Sequence, residues 1–274
     1  MVTETILRTG NVSVDPYMRQ LMDGGWPLHE PLDQGRAIGR VVKSETGEFP
    51  EGALVVHTGG WSTHAAVFPG QRGARLVQPA SGIPLSAYLS VLGGTGMTAY
   101  VGIREILRLR EGETVFITGA AGAVGSVAGQ ISRLLGARVI GSVGSAAKVR
   151  HVTGRLGFDA AFDYHDGPVG KLLAKAAPDG IDATLTLRGY MVRHYMHLRD
   201  EAEAWLIPRL RSGALRADEQ IVSGFDNIVS AFLGMLRGEN IGKTIVQIAS
   251  DSSRQGRPLL PSDGAGRVPA EGPR

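Results

Sequence analysis

At 274 residues the chain is long enough for a large core and about two domains, and 43% apolar with 20% charged residues is an ordinary globular balance. A net charge of +3 without a basic stripe among aromatics excludes a dedicated nucleic-acid binder, and the lack of cysteine excludes disulfides and thiolate metal centres. Residues 1–10 hold Glu4 and Arg8 and no apolar centre, so they do not read as a signal peptide. No run is suited to spanning a bilayer, and the expected location is the cytoplasm.

Residues 1 to about 85 read as β-rich. Short apolar runs at Ile38–Val42, Ala53–Val56 and Trp61–Phe68 are separated by Gly, Pro and Asp. Pro84–Leu92 opens a helical stretch that Thr98–Leu109 continues. Strands and helices then alternate. Strands are expected at Thr114–Thr118, Ala137–Val143 and Ala160–Tyr164. Helices are expected up to about Leu135, over Lys148–Leu156 and over Val169–Ala177. That alternation specifies a parallel sheet with covering helices, an α/β fold. After Ile181 the pattern changes. Ala183–Leu187 reads as a strand running on through Gly189–Val192. A helix follows from Leu198 to about Leu210, with a kink or early end at Pro208. Ile221–Val222 and Thr244–Ile248 read as strands around a helix at Ile228–Leu236, and residues 250–274, rich in Ser, Gly, Pro and Arg, read as a disordered tail.

The chemistry concentrates at Thr114–Gly125. A β-branched strand runs into a glycine-rich turn and then an apolar helical pattern, the context in which a dinucleotide fingerprint has meaning. Aligned on Gly122 and Gly125 it reads A-x-G-x-x-G, with Ala120 first. Small residues let the backbone approach a pyrophosphate, and the helix start offers free N–H groups at a positive dipole end. An NAD site carries an acid near the end of the second strand. Here no acid occurs from Ser126 through Phe158, and Lys148 and Arg150 follow the strand instead. A cation without a carboxylate suits a 2′-phosphate, so the cofactor is expected to be NADP. The seven histidines form no metal-ligand pattern and no serine has a nucleophile-elbow context.

Several stretches together resemble the zinc-independent medium-chain dehydrogenase/reductase superfamily, nearest its leukotriene B4 12-hydroxydehydrogenase/prostaglandin reductase group. They are Val12–Arg19 (V-S-V-D-P-Y-M-R), Gly93–Tyr100, Ala120–Gln130, Leu156–Asp159 with Phe162–Tyr164, and Gly234–Lys243. The resemblance implies a GroES-like β-rich domain plus a Rossmann-type doubly wound parallel sheet. It divides the chain into a substrate domain at 1–92, an NADP-binding domain at 93–192 and a return to the substrate domain at 193–249. It also implies hydride transfer from NADPH to the carbon–carbon double bond of α,β-unsaturated ketones or aldehydes, with quinones as the alternative acceptors.

By the same resemblance Ala121, Gly122, Ala123 and Val124 hold the pyrophosphate, and Lys148 and Tyr164 contact the 2′-phosphate end. Tyr190, Met191 and Val192 line the nicotinamide, Asn240 touches the cofactor, and Tyr195 is the proton donor. Tyr164 reads equally as an aromatic covering the sheet edge, and Tyr190–Val192 equally as core. Tyr17 belongs to the same cleft and is not taken as the donor. Two departures stand out. The strands that precede V-D-P-Y-M in the family are short here. The family's D-N-V-G-G turn, fifth strand and nicotinamide-covering loop are missing between Asp182 and Leu187, which leaves the parallel sheet incomplete. This opens a second reading, a relative that binds NADP without turnover. An unpaired sheet edge of this kind also permits a homodimer.

Overall fold

The computed structural model describes residues 4–24, 26–27, 32, 35–68, 70–71, 73–185 and 192–249. The expected nicotinamide contacts Tyr190 and Met191, and the expected tail at 250–274, lie outside the described residues.

The N-terminal part is a sheet built from β1 (Thr5–Ser13), β2 (Ala37–Ser44), β3 (Leu54–His57), β4 (His64–Val67) and β5 (Arg75–Val77), with a short helix α1 (Met18–Asp23) after β1. Apolar patterning does not announce β1, because four of its fully or nearly fully buried residues are polar: Thr5, Thr9, Asn11 and Ser13. β1 nevertheless organises the sheet. One of its edges pairs antiparallel with β2, and β4 pairs antiparallel with residues 5–8.

The chain then crosses to a second sheet. A 3₁₀ turn at Leu85–Tyr88 leads to α2 (Gly94–Val101), which continues as one wide π turn over Gly102–Ile106. The single helical stretch expected here is thus broken. A Cβ at Gly96 would stand 1.7 Å from the Val91 carbonyl oxygen, so the backbone crosses itself at this glycine. The parallel sheet follows with β6 (Thr114–Ile117), α3 (Ala123–Leu134), β7 (Arg138–Val143), α4 (Ala146–Gly154), β8 (Ala160–Asp163), α5 (Val169–Ala176) and β9 (Ala183–Leu185). Its order is β8-β7-β6-β9 and every pairing is parallel. A complete dinucleotide fold carries two further strands beyond this point. Val192 is not in a strand as expected, but opens a 3₁₀ turn, Val192–Leu198.

That turn delivers α6 (Arg199–Ser212), which runs through Pro208 instead of ending there. Proline removes one donor from the ladder, and packing of the buried Ala202 and Leu206 into the core holds the helix together. β10 (Glu219–Ser223), α7 (Ile228–Leu236) and β11 (Lys243–Gln247) return the chain to the first sheet, where β11 pairs antiparallel with residues 11–13 of β1 and parallel with β10. The main core lies between the sheets. Val115, Ile117 and Val139 face it together with Val127 and Ile131 of α3 and Leu206 of α6. Phe116, Ile140 and Phe162 pack under α5 on the opposite face. Among the described residues no helix is long and apolar enough to cross a membrane.

Candidate active site

The glycine-rich turn sits where the sequence places it. Gly119 takes a left-handed φ of 60°, and Gly122 closes the turn by donating its N–H to the Gly119 carbonyl at 2.8 Å. A Cβ at Gly125 would lie 2.4 Å from the Gly119 oxygen, so only glycine lets α3 start this close to β6. No side chain caps α3, and among the described residues the amides of Val124 and Gly125 donate to no protein group. Unsatisfied amides at a positive helix end are a site for an anion.

The loop before β11 lies against this turn. Gly242 donates its N–H to the Ala121 carbonyl at 2.9 Å and forms a one-residue parallel bridge with Gly122. The Asn240 amide donates to the Gly242 carbonyl at 2.9 Å, which shapes that loop. The Lys148 ammonium, held on the first turn of α4 by the Ser145 cap, donates to the Gly238 carbonyl at 2.6 Å. Partial burial there pulls it below the ordinary lysine value. Tyr164 lies over the end of β7, where a Cβ on Gly144 would come within 2.5 Å of its hydroxyl. Lys148 and the Ala121–Val124 turn are thus each joined to the loop of residues 238–242 that carries Asn240, and Tyr164 lies beside Gly144 at the end of β7.

Beyond Val124 the turn opens into a cleft between the sheets. A space of about 250 Å³ is bordered by Asp15, Tyr17, Arg36, Thr95, Thr98, Val124 and Val192. It adjoins a larger cavity of about 700 Å³ that shares Tyr17, Arg36 and Val192 and adds Arg75, Met196 and Arg199. Tyr195 lines neither space. Its ring packs against the main core and lies 6.4 Å from the His197 ring. Tyr17 is the phenol that borders both. Desolvation by the cleft walls, then the nearby Asp15 carboxylate, pushes it up to about 12, although 40% of the residue stays exposed. Asp15 is paired with the buried Lys243 ammonium, which also donates to the Val14 carbonyl at 3.0 Å. Burial holds that lysine below its ordinary value.

The arginines that border the large cavity were not singled out from the sequence. Arg36 lies just before β2, Arg75 opens β5 and Arg199 opens α6, and only tertiary packing brings them to one wall.

Residues 3–75 match a family model described as the N-terminal domain of oxidoreductase. Over most of its length the chain is 34% identical to the putative NADP-dependent oxidoreductase YfmJ of Bacillus subtilis (strain 168), covering 91% of this chain and 89% of that protein. Prostaglandin reductase 1 of Sus scrofa is 32% identical, with 89% of each covered. Among solved structures, CurA from Vibrio vulnificus in complex with NADPH superposes with a TM-score of 0.80 at 28% identity, covering 90% of each chain. The chain belongs to the zinc-independent medium-chain dehydrogenase/reductase family. Its alignment with YfmJ runs over 307 positions although the chain has 274 residues, so the relative carries residues with no counterpart here. That agrees with a parallel sheet of four strands among the described residues.

Proposed function

We propose that this chain is an NADPH-dependent reductase of the carbon–carbon double bond in α,β-unsaturated ketones or aldehydes. The observation that carries the reading is the uncapped start of α3 opening at Val124 into a cleft bordered by a phenol. The residues present fit the nucleotide. Free amides at Val124 and Gly125 suit a pyrophosphate, and a lysine rather than an acid follows the second strand.

When bound, NADPH supplies the hydride that reaches the carbon β to the carbonyl. The chain positions and excludes. Ala121–Val124 would hold the diphosphate, and Lys148 with Tyr164 and Asn240 would frame the adenosine end. Thr95, Thr98 and Val192, which border the space beside Val124, would flank the nicotinamide end. Tyr17 takes the donor role expected of Tyr195. Its hydroxyl passes its proton to the developing enolate oxygen and regains one from solvent, and the enol so formed tautomerises in water to the saturated carbonyl. The protein works as a soluble cytoplasmic enzyme, with residues 1–92 and 193–249 forming the substrate domain and 93–192 the nucleotide domain. Pairing of β11 with β1 supports that division. A homodimer would form at β9, the outermost strand on that side of the parallel sheet among the described residues.

The test is NADPH oxidation with a panel of small enones and a quinone, alongside NADPH titration by fluorescence. Enone-dependent oxidation with preference for NADPH over NADH is expected. Binding without turnover of any acceptor would leave an NADP-binding relative that has lost catalysis with its missing segment, and quinone turnover alone would move the acceptor class.

A further inference from the structure

The described lining of the large cavity carries three guanidinium groups, those of Arg36, Arg75 and Arg199. Arg75 and Arg199 share a single oxygen of Glu203, at 3.3 and 3.1 Å. Arg36 has no carboxylate within ion-pair distance among the described residues; the edge of its guanidinium instead lies against Gly94. The other acid at the cleft, Asp15, is occupied by Lys243. Among the described residues, three guanidinium groups and one carboxylate thus leave two positive charges on the wall.

Gathering like charges at a partly buried surface is unfavourable unless an anion joins them. Burial, then the neighbouring Arg199, pulls Arg75 below the ordinary arginine value. The Arg199 Nε is buried and has no hydrogen-bond partner among the described residues. Guanidinium forks match the planar geometry of a carboxylate.

We propose that this arginine wall binds a carboxylate carried on the substrate, close to the reacting double bond. The placement follows from Arg36 and Tyr17, which border both the space beside Val124 and the large cavity. An anion on Arg36 therefore lies near the reacting end, not on a remote tail. The preferred acceptor is a short 4-oxo-2-alkenoic acid, an inference that rests on the enone-reductase reading.

Two measurements separate the proposal from that reading. The first is calorimetric titration of the full chain, with NADP⁺ present, using 4-oxopentanoate and its methyl ester, the saturated forms of the acceptor. The acid is expected to bind at least about tenfold more tightly, a difference that shrinks at high salt and largely disappears in Arg36→Gln. Equal binding of acid and ester by the unaltered protein overturns the proposal, whether or not the variant folds. The second compares kcat/KM for trans-4-oxo-2-pentenoic acid and its methyl ester, with the acid favoured by a similar factor. A preference for the ester also overturns the proposal. Tight binding of the acid with no reduction of either compound, or of a neutral enone, keeps the anionic wall and removes the reductase reading.

Discussion

At the scale of the residue, Lys148 has one partner in the structure and, in the proposed function, a second. Its ammonium has three donors, and the Gly238 carbonyl takes one of them, which leaves two for a 2′-phosphate. A charge-assisted contact of that kind contributes roughly 1.5–3 kcal/mol. Lys148→Ala is expected to weaken NADPH binding by about ten- to a hundredfold while NADH affinity falls only slightly. Equal losses, measured by fluorescence titration, would mean that the lysine acts only by holding the Gly238 loop. Tyr17 makes a second prediction. Raised to about 12 from 10.0, the phenol keeps its proton through the range in which an ordinary tyrosine ionises, so its rate contribution should not fall as pH passes 10.0. Tyr17→Phe should lower kcat by about a hundredfold, the usual size of a positioned proton donor, with little change in Tm. The sequence makes Lys148 and the turn legible because a strand, a turn and a helix read locally. The proposal of Tyr17 in place of Tyr195 rests on the third dimension, since both are tyrosines near family motifs and, of the two, Tyr17 borders the cleft.

At the scale of the element, the reading succeeded where the buried positions are apolar and failed where they are polar. The β6–α3–β7 unit announces itself through β-branched runs, whereas β1 hides its buried face behind Thr5, Thr9, Asn11 and Ser13. Such a strand is specified by its partners on both edges more than by its own composition. The end of β3 carries a related feature, the fully buried His57. Its Nδ1 accepts the Gly59 N–H at 3.1 Å, which leaves the proton on Nε2, an atom without a partner among the described residues. Burial pulls this imidazole down from 6.5 to about 4. Within that window the folded chain binds fewer protons than the unfolded chain, so stability present above 6.5 is lost as pH falls towards 4. The loss should amount to about 3 kcal/mol. Urea denaturation at a series of pH values should show it, and His57→Gln should flatten that part of the curve. An unaltered slope in the variant would assign the acid sensitivity to other groups.

At the scale of the whole molecule, the chain keeps the half of the fold that holds adenosine and phosphates and shortens the half that follows β9. The two sheets are joined by more than their connecting segments. β11 completes the first sheet beside β1, and the loop just before it touches the glycine-rich turn through Gly242 and the α4 lysine through Gly238. A nucleotide laid along the turn therefore contacts both parts of the protein, and its binding should stabilise them together. Whether the shortened half still grips the nicotinamide has a direct physical measure. Adenosine 2′,5′-bisphosphate carries the adenosine and the 2′-phosphate but lacks the nicotinamide end. If Val124, Thr95, Thr98 and Val192 form a working nicotinamide site, NADPH should bind at least about tenfold more tightly than this fragment and raise Tm further at equal concentration. At a hundred times its Kd, NADPH stabilises by about 2.7 kcal/mol, a shift of several degrees for a chain of this size. If the two ligands bind equally and shift Tm equally, the segment missing after Asp182 has taken the nicotinamide site with it, and the chain holds its cofactor by one end only.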